Sequence, residues 1–214
     1  MNIETTMSIF TRSSAEVAEK MMTIKKSTNT YYPDHEESKP HSTLYFSRFD
    51  EEKYSELIEK LKKIDLKPFE VKIGKLRFIE LPKRNSTFIA LDFEDETKFR
   101  ELHEKVLNIA NPLRGGLIRH KDVERHESGQ MSEEGWEATQ RYGFQYFMEN
   151  YKPHLTIGTI DIGDKEKEET LKREFNEFIG KTFMVDRIYV KFSRRTIPDQ
   201  TKIFDSENTE IILK

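Results

Sequence analysis

The sequence predicts an α+β fold built from two related lobes, and two observations lead to this prediction. The first is a repeated motif: Pro40-His41-Ser42-Thr43-Leu44 matches Pro153-His154-Leu155-Thr156-Ile157, each in an apolar run typical of a strand. The second is that each motif is followed by a helix-like pattern and then by another strand-like run. A strand, a helix and a strand therefore recur at a nearly constant offset, which indicates an internal duplication.

The first half of the chain can be assigned from its capping and hydrophobic spacing. Ser13-Ser14-Ala15-Glu16 has the form of a capping box, and apolar residues behind it predict a helix. After the first motif, helical spacing across 54–64 predicts a second helix, and the run at 69–73 predicts a strand. A third helix is expected over 99–109, after an apolar run around Phe88.

The second half repeats this order after the second motif. Helical spacing at 171–179 precedes strand-like runs at 183–185 and 188–192, and short strands near 202–204 and 210–213 predict a closing hairpin.

Glycines and mixed charges at 111–131 predict an irregular surface loop, for which a lid over the cleft is favoured over an inert insertion. The chain is thus predicted to be a single domain of residues 1–214. Lobe one covers about 38–110, the inter-lobe loop about 111–131, and lobe two about 132–214.

Composition limits the classes of partner. With 35% charged and 35% hydrophobic residues among 214, the chain can form a highly charged, folded domain with a proper core. A net charge of −3 argues against a broad phosphate-binding surface and favours a nucleotide or short oligonucleotide held in a local basic cleft. The absence of cysteine excludes disulfides, thiolate nucleophiles and cysteine-based zinc sites.

No apolar run approaches a membrane span, and Met1-Asn2-Ile3-Glu4 lacks the pattern of a signal peptide. We therefore expect a cytoplasmic protein, of a cell or of an infected host, with no membrane partner. We also expect a monomer that needs no obligate protein partner.

The repeated motif carries the chemistry. Side chains alternate along a strand, so His41 and Thr43 project from one face of their strand, as do His154 and Thr156 from theirs. A pseudo-twofold axis between lobes would bring both pairs to one cleft. A phosphodiester needs a base for the nucleophile and an acid for the leaving oxygen, and histidine can serve as either near neutral pH. The threonines would donate hydrogen bonds to phosphate oxygens, so this chemistry requires no cofactor.

Other motifs are weaker candidates. The acidic neighbours of His120 and His126 are metal-competent, but their spacing matches no ligand pattern, and we predict no metal site. Gly180-Lys181-Thr182 lacks the earlier glycine of a phosphate-binding loop. His103 lies alone in a predicted helix and is expected to be exposed to solvent.

Six residues near the motifs are predicted to bind substrate. Tyr45 would share the His41 face of a regular strand and stack on a base. Aromatic and basic residues cluster before the second motif, and an arginine pair at the end of a predicted strand would reach a second phosphate. The six are Tyr45, Arg141, Tyr142, Tyr151, Lys152 and Arg194.

The paired motifs resemble those of the 2H phosphoesterase superfamily. It includes 2'-5' RNA ligase-like proteins, cyclic nucleotide phosphodiesterases, an RNA-trimming exonuclease, and viral enzymes that degrade 2'-5' oligoadenylate or cyclic oligonucleotide signals. The matching residues are His41 and Thr43 in HSTL and His154 and Thr156 in HLTI. The aromatic-rich approach to the second motif, from Arg141 to Pro153, is also similar to that of some members. The resemblance implies antiparallel sheets that form a concave central cleft, with helices packed outside.

The resemblance also implies a phosphodiesterase, either a hydrolase or a cyclising phosphodiester lyase. Its substrate would be a 2',3'-cyclic phosphate, a 2'-5'-linked oligonucleotide, a cyclic oligonucleotide or a short RNA. Two alternatives stay open at this point: a non-catalytic module that binds a nucleotide or an RNA end, and an RNA ligase or processing protein of the same fold. The residues do not tell which histidine is the acid and which the base.

Overall fold

Two four-stranded sheets form the framework of the protein. The computed structural model describes residues 3–29, 39–197 and 203–214, with side chains excluded at 203–205. In this part of the chain eight strands form: β1 Ile3–Arg12, β2 His41–Arg48, β3 Phe69–Leu81, β4 Ser86–Phe93, β5 His154–Asp161, β6 Thr182–Val185, β7 Arg187–Thr196 and β8 Ile203–Ile212. The same residues form six α-helices: α1 Ala15–Lys25, α2 Tyr54–Leu61, α3 Thr97–Arg114, α4 His120–Glu127, α5 Glu133–Tyr142 and α6 Lys165–Phe175.

The strand order places both histidine motifs at sheet edges. One sheet runs β2-β1-β7-β8 and the other β5-β4-β3-β6, and every neighbouring pair is antiparallel. Residues of β2 and β5 approach to within 8 Å, Cα to Cα, so the two edge strands face one another. Helices pack on the outside, and the prediction of an α+β fold with antiparallel sheets is confirmed.

The two sheets do not correspond to contiguous halves of the sequence. The β2 sheet combines the N-terminal strands with β7 and β8, whereas the β5 sheet holds β3 to β6. The two sheets therefore do not coincide with the predicted lobes at about 38–110 and 132–214, whose boundaries stay a prediction. The strands that begin at Phe69 and Thr182 are hydrogen-bonded neighbours, Phe69 opposite Val185, and not equivalents in two lobes. Only Asp186 separates β6 from β7, so the chain changes sheets at that point.

Residues 111–131 are largely helical, which corrects the prediction of an irregular loop. The third helix continues to Arg114 and ends at Gly115, whose φ of 62° is the left-handed conformation that glycine adopts readily. In α4, Arg119 donates two hydrogen bonds of 2.7 Å to the buried carboxylate of Asp122. The mixed charges that suggested a loop thus include an ion pair that stabilises a helix.

The four helices that the sequence predicted are present, although α6 begins and ends earlier than the predicted 171–179, and α4 and α5 were not predicted. The first helix begins after Ser14, whose hydroxyl oxygen accepts a hydrogen bond from the Val17 amide. The expected apolar stripe of α2 is buried, and Phe99 of α3 stacks on Phe93 with ring centroids 4.5 Å apart. The strand at 3–12 was not predicted, and residues 203–212 form one strand paired with β7 instead of a hairpin.

Candidate active site

Both histidine motifs lie on edge strands with the predicted alternation. His41 and Thr43 of β2 are half-buried, whereas Ser42 between them is fully buried. In β5, His154 and Thr156 are half-buried on either side of the buried Leu155. Each strand therefore presents its histidine and threonine on the accessible face, because the period of two separates them from the core face.

The two histidine rings are held in the same way. Nδ1 of His41 lies 2.9 Å from the carbonyl oxygen of Lys39, and Nδ1 of His154 lies 2.7 Å from that of Lys152. A carbonyl only accepts, so Nδ1 carries the proton in each neutral ring. Nε2 is therefore the nitrogen that can take up or release a proton at the substrate.

A phenylalanine from the neighbouring strand supports each ring. Phe10 of β1 lies 5.3 Å from His41, and Phe88 of β4 lies 5.6 Å from His154, between ring centroids. The contacts are tilted or edge-on, as aromatic pairs prefer. The two half-sites thus share a strand position, a hydrogen bond and an aromatic support.

A β-bulge lies at the last residue of each motif. In β2 the register passes from Thr43 opposite Phe10 to Tyr45 opposite Ile9, which leaves Leu44 extra. In β5 the extra residue is Ile157. A bulge of this kind reverses the alternation of side chains beyond it. In both strands, the residues beyond the bulge therefore face the cleft at positions that a regular strand would have placed in the core.

The bulge overturns the expectation for Tyr45. The predicted shared face with His41 assumed a regular strand, but Tyr45 is fully buried and stacks on Phe147 with centroids 5.5 Å apart. Phe46 takes its place on the accessible face and lines the cavity beside the first motif.

A cavity of about 300 Å³ lies against the first motif. Strands β2, β1 and β7 supply its walls, and its lining combines hydroxyls, cations and two aromatic rings. The lining residues are Thr6, Ser8, Phe10, His41, Thr43, Phe46, Lys191, Ser193 and Arg195. Such a mixture suits an anionic ligand with a flat apolar part.

Sequence reasoning missed Lys191, and of the arginine pair that it named it kept Arg194 as a substrate residue, whereas Arg195 lines the cavity. In β7 the residues at 191, 193 and 195 share the cavity face, whereas Arg194 points away, with Nε 3.1 Å from a carboxylate oxygen of Glu51. Nε of Arg195 donates to the Thr6 hydroxyl at 3.3 Å. Alternation from Lys191 along the strand would have identified the correct arginine.

The other predicted substrate residues lie outside this cavity. Tyr151 is buried and stacks on His103, and Lys152 lies 3.5 Å from Asp92. The exposed Arg141 lies over the ring of Tyr142 at the end of α5, and Tyr142 packs against the core. The structure therefore brings the four histidine and threonine side chains to the facing edge strands, but none of the six predicted substrate residues lines the cavity described above.

The second motif has a charged neighbour in β4. Asp92 pairs with His154 across the strands and accepts from Nε of Arg77 at 2.9 Å. Burial lowers the pKa of His154, and Arg77 adds to this effect, while the Lys152 carbonyl and Asp92 oppose it. His154 is thus mainly neutral at neutral pH.

His103 is buried between the two motifs, which corrects the prediction of an exposed side chain. Its Nδ1 donates to the carbonyl of Leu44, the bulge residue of the first motif, at 2.8 Å. Its Nε2 accepts from the amide of Met148 at 3.1 Å, in the turn that leads to the second motif. Its ring stacks on Tyr151 with centroids 3.9 Å apart. This histidine therefore connects the backbones that carry both motifs.

A comparison with protein families matches residues 13–191 to the model of the 2'-5' RNA ligase superfamily, and the match includes both histidine motifs. The chain belongs to the 2'-5' RNA ligase superfamily. This membership of the 2H phosphoesterases supports phosphodiesterase-type activity in the broad sense.

Solved structures of the same fold agree with this membership. The protein is similar to E. coli LigT complexed with NADP+, with a TM-score of 0.52 and 11% identity over 99% of this chain and 98% of LigT. It is also similar to Kluyveromyces marxianus Usb1 with uridine monophosphate, with a TM-score of 0.50 and 10% identity over 98% of this chain and 99% of Usb1. At such low sequence identity, these similarities show a shared fold only. A comparison with curated protein sequences finds no match.

The described residues contain no group of three or more histidine, aspartate and glutamate side chains arranged to hold a metal ion. None of the helices in these ranges has both the length and the apolar character of a membrane span.

Proposed function

We propose that this protein is a metal-independent phosphodiesterase that uses His41 and His154 as its general acid and base. The observation that carries the proposal is the equivalence of the two half-sites. Each histidine stands on an edge strand and donates from Nδ1 to a carbonyl two residues earlier, so Nε2 is the nitrogen that can exchange a proton. A site that only binds phosphate does not need two imidazoles that are held in the same way for proton transfer.

The proposed reaction proceeds by two proton transfers. One Nε2 takes the proton from the nucleophile, and the other gives a proton to the leaving oxygen from the opposite side of phosphorus. Water is the nucleophile for a 2',3'-cyclic phosphate. For a 2'-5' or 3'-5' linkage, the adjacent ribose hydroxyl attacks and a cyclic phosphate is the product.

The lowered pKa of His154 fits the base, because a base must be neutral before the reaction. His41 then acts as the acid. Thr43 and Thr156 would donate hydrogen bonds to the non-bridging oxygens, where negative charge develops in the transition state.

A nucleotide or short oligonucleotide is the proposed substrate. The cavity beside His41 offers Lys191 and Arg195 for phosphate and the rings of Phe10 and Phe46 for a base. NADP+ in LigT and uridine monophosphate in Usb1 are nucleotides, and these ligands of similar folds support the same substrate class here.

The test is turnover of a substrate panel in the presence of EDTA. The panel contains 2',3'-cyclic nucleotides, 2'-5' oligoadenylate, cyclic oligonucleotides and a short 3'-5' RNA. We expect the wild-type protein to cleave at least one of them and the double variant His41→Ala/His154→Ala to cleave it about 10²- to 10⁴-fold more slowly. Nucleotide binding without turnover by the wild type would contradict the proposal and favour a binding module. Joining of RNA ends would favour a ligase.

The threonines provide a prediction about the transition state. Thr43→Val, which keeps the shape of the side chain but removes the hydroxyl, is expected to lower kcat by about 10- to 100-fold with a small change in KM. Thr43→Ser keeps the hydroxyl and should restore most of the rate. Steady-state kinetics on the preferred substrate would measure both, and an equal loss in the serine variant would refute the hydrogen-bond role.

The arginine pair of β7 provides a matched comparison. Arg195→Ala is expected to raise KM by about tenfold, because it removes a cation from the cavity wall. Arg194→Ala removes the adjacent cation from the opposite face and should leave KM within about twofold. Comparable KM values for the two variants would show that the cavity does not bind the substrate phosphate.

A further inference from the structure

Helix α4 lies at one end of the cleft and contacts the β2 sheet there. The His120 amide donates to a carboxylate oxygen of Glu4 in β1 at 2.8 Å. The Arg119 guanidinium lies 4.1 Å above the ring of Phe46, which lines the cavity beside the first motif. This end of α4 is therefore continuous with the wall of the candidate active site.

The same helix reaches the β5 sheet at its other end. The Lys83 ammonium, in the turn between β3 and β4, donates to the carbonyl of Gly129 just beyond α4. In the adjoining strands Ser86 pairs with Asp161, the last residue of β5. The helix therefore spans from one sheet to the other beyond the C-terminal ends of both motif strands.

A concave groove of about 400 Å³ lies between α4 and this turn. Arg84 lines it from the turn, Lys121 and Arg125 line it from α4, and Ser128 lines it from just beyond the end of the helix. Lys121 and Arg125 have the i,i+4 spacing of neighbours on one helix face.

The groove concentrates positive charge that its own carboxylates do not balance. In the described ranges neither Arg84 nor Lys121 makes an ion pair or a side-chain hydrogen bond, and both are exposed. The carboxylate of Asp122 is held by Arg119 and also lies 3.4 Å from Arg125. The stem of Lys121 is nevertheless partly covered, and this partial burial lowers its pKa, to which the charges of Arg125 and Arg84 add.

Glu124 is the carboxylate that lines the groove, and it lies 3.3 Å from Nδ1 of His120. Three cations thus face one concavity that holds a single carboxylate. This arrangement favours an anion with several oxygens, of which a phosphodiester is the form that an oligonucleotide supplies.

We propose that the groove between α4 and the β3–β4 turn binds a second phosphate of an oligonucleotide whose scissile phosphate lies between the two histidines. The inference rests on the proposed function and extends it to substrates longer than a dinucleotide. From His41 to Arg48 the strand covers about 20 Å at the usual rise per residue. A chain that follows β2 past Phe46 would therefore reach α4 several nucleotides from the reacting phosphate.

Binding measurements test the groove separately from turnover. Fluorescence anisotropy with a labelled hexanucleotide would compare the wild type with Arg84→Ala/Lys121→Ala and with Lys62→Ala/Lys98→Ala. Lys62→Ala/Lys98→Ala is the control for net charge, because it removes two lysines of the outer helical layer whose side chains are 53% and 55% exposed. Each variant's thermal unfolding would verify its fold.

We expect Arg84→Ala/Lys121→Ala to weaken hexanucleotide binding by about tenfold and to reduce the slope of log K against log salt by about 1.4. Uridine monophosphate should bind as it does to the wild type. Lys121→Glu, which makes the same change in charge as the double alanine variant, should weaken hexanucleotide binding by a similar factor, and the control variant should stay within about twofold. If the double variant bound the hexanucleotide as tightly as the wild type, or lost affinity for the hexanucleotide and for uridine monophosphate equally, the proposal that the groove binds a second phosphate would be wrong. Absence of cleavage in the substrate panel would instead overturn the proposed function.

Discussion

His41→Ala and His154→Ala are each expected to lower kcat/KM for the preferred phosphodiester by about 10²- to 10⁴-fold. Each variant removes one of the two groups that move a proton in the transition state, and neither can replace the other from its own side of the phosphorus. The double variant should lose little more than the single ones, because the two groups act as a unit. Steady-state kinetics with a short substrate would measure these ratios.

His120→Ala is the matched control for this series. It removes a half-exposed histidine on α4 whose Nδ1 lies 3.3 Å from a carboxylate oxygen of Glu124. Its kcat/KM for a short substrate should stay within about twofold of the wild type. If either motif variant behaved like His120→Ala, the two-histidine mechanism would be wrong.

The pH profile of kcat/KM distinguishes the roles of the two histidines. With His154 as base, activity is lost as the pH falls through its pKa, which burial places below the usual value of about 6.5. The acidic limb should therefore lie below pH 6.5, and Arg77→Ala should move it upward, since Arg77 helps to lower that pKa. An acidic limb that stays in place in Arg77→Ala would contradict this assignment.

His103 is expected to make the stability of the protein depend on pH. Both ring nitrogens are satisfied only in the neutral ring, because Nδ1 donates to the Leu44 carbonyl and Nε2 accepts from the Met148 amide. Burial lowers the pKa of His103 to about 4. The unfolded chain, with a histidine pKa of about 6.5, therefore binds the proton first as the pH falls.

The stabilising effect of neutral His103 is complete above about pH 6.5 and decreases as the pH falls toward 4. The free energy of unfolding should drop by about 3 kcal/mol across this window from His103 alone. His103→Gln removes the titration. Between pH 7.5 and pH 4.5, the wild type should lose roughly 2–3 kcal/mol more than this variant, as measured by urea unfolding.

At pH 7.5, His103→Ala should cost about 3 kcal/mol or more, since it leaves a buried amide and a buried carbonyl without partners. Equal pH slopes for the wild type and His103→Gln would show that His103 does not control stability in this range.

Local pattern alone determined the elements that carry the candidate site. The period of two placed His41 with Thr43 and His154 with Thr156 on accessible faces, and burial in the structure agrees. Helical spacing identified the apolar face of α2 because it depends only on neighbours along the chain. The repeated motif was sufficient to indicate the superfamily that the family comparison then showed.

The assignment of strands to sheets depended on partners far along the chain. Strand β1 pairs with β7, which lies near the other end of the sequence. Each sheet therefore combines strands from distant segments, and no local repeat reveals this arrangement. The bulges at Leu44 and Ile157 also arise from strand pairing, and the first of them moved Tyr45 from the cleft to the core.

By itself the sequence determined which residues could do the chemistry, and the tertiary structure decided what surrounds them. Arg195 rather than Arg194 lines the cavity, because pairing with β1 sets which face of β7 turns inward. His103 is buried because β2 and the turn at Met148 close over it from different parts of the chain. The physical reason is the same for both residues. Periodicity along the sequence shows which side chains share one face of a strand or helix, whereas contacts between distant segments decide which residues pack against that face.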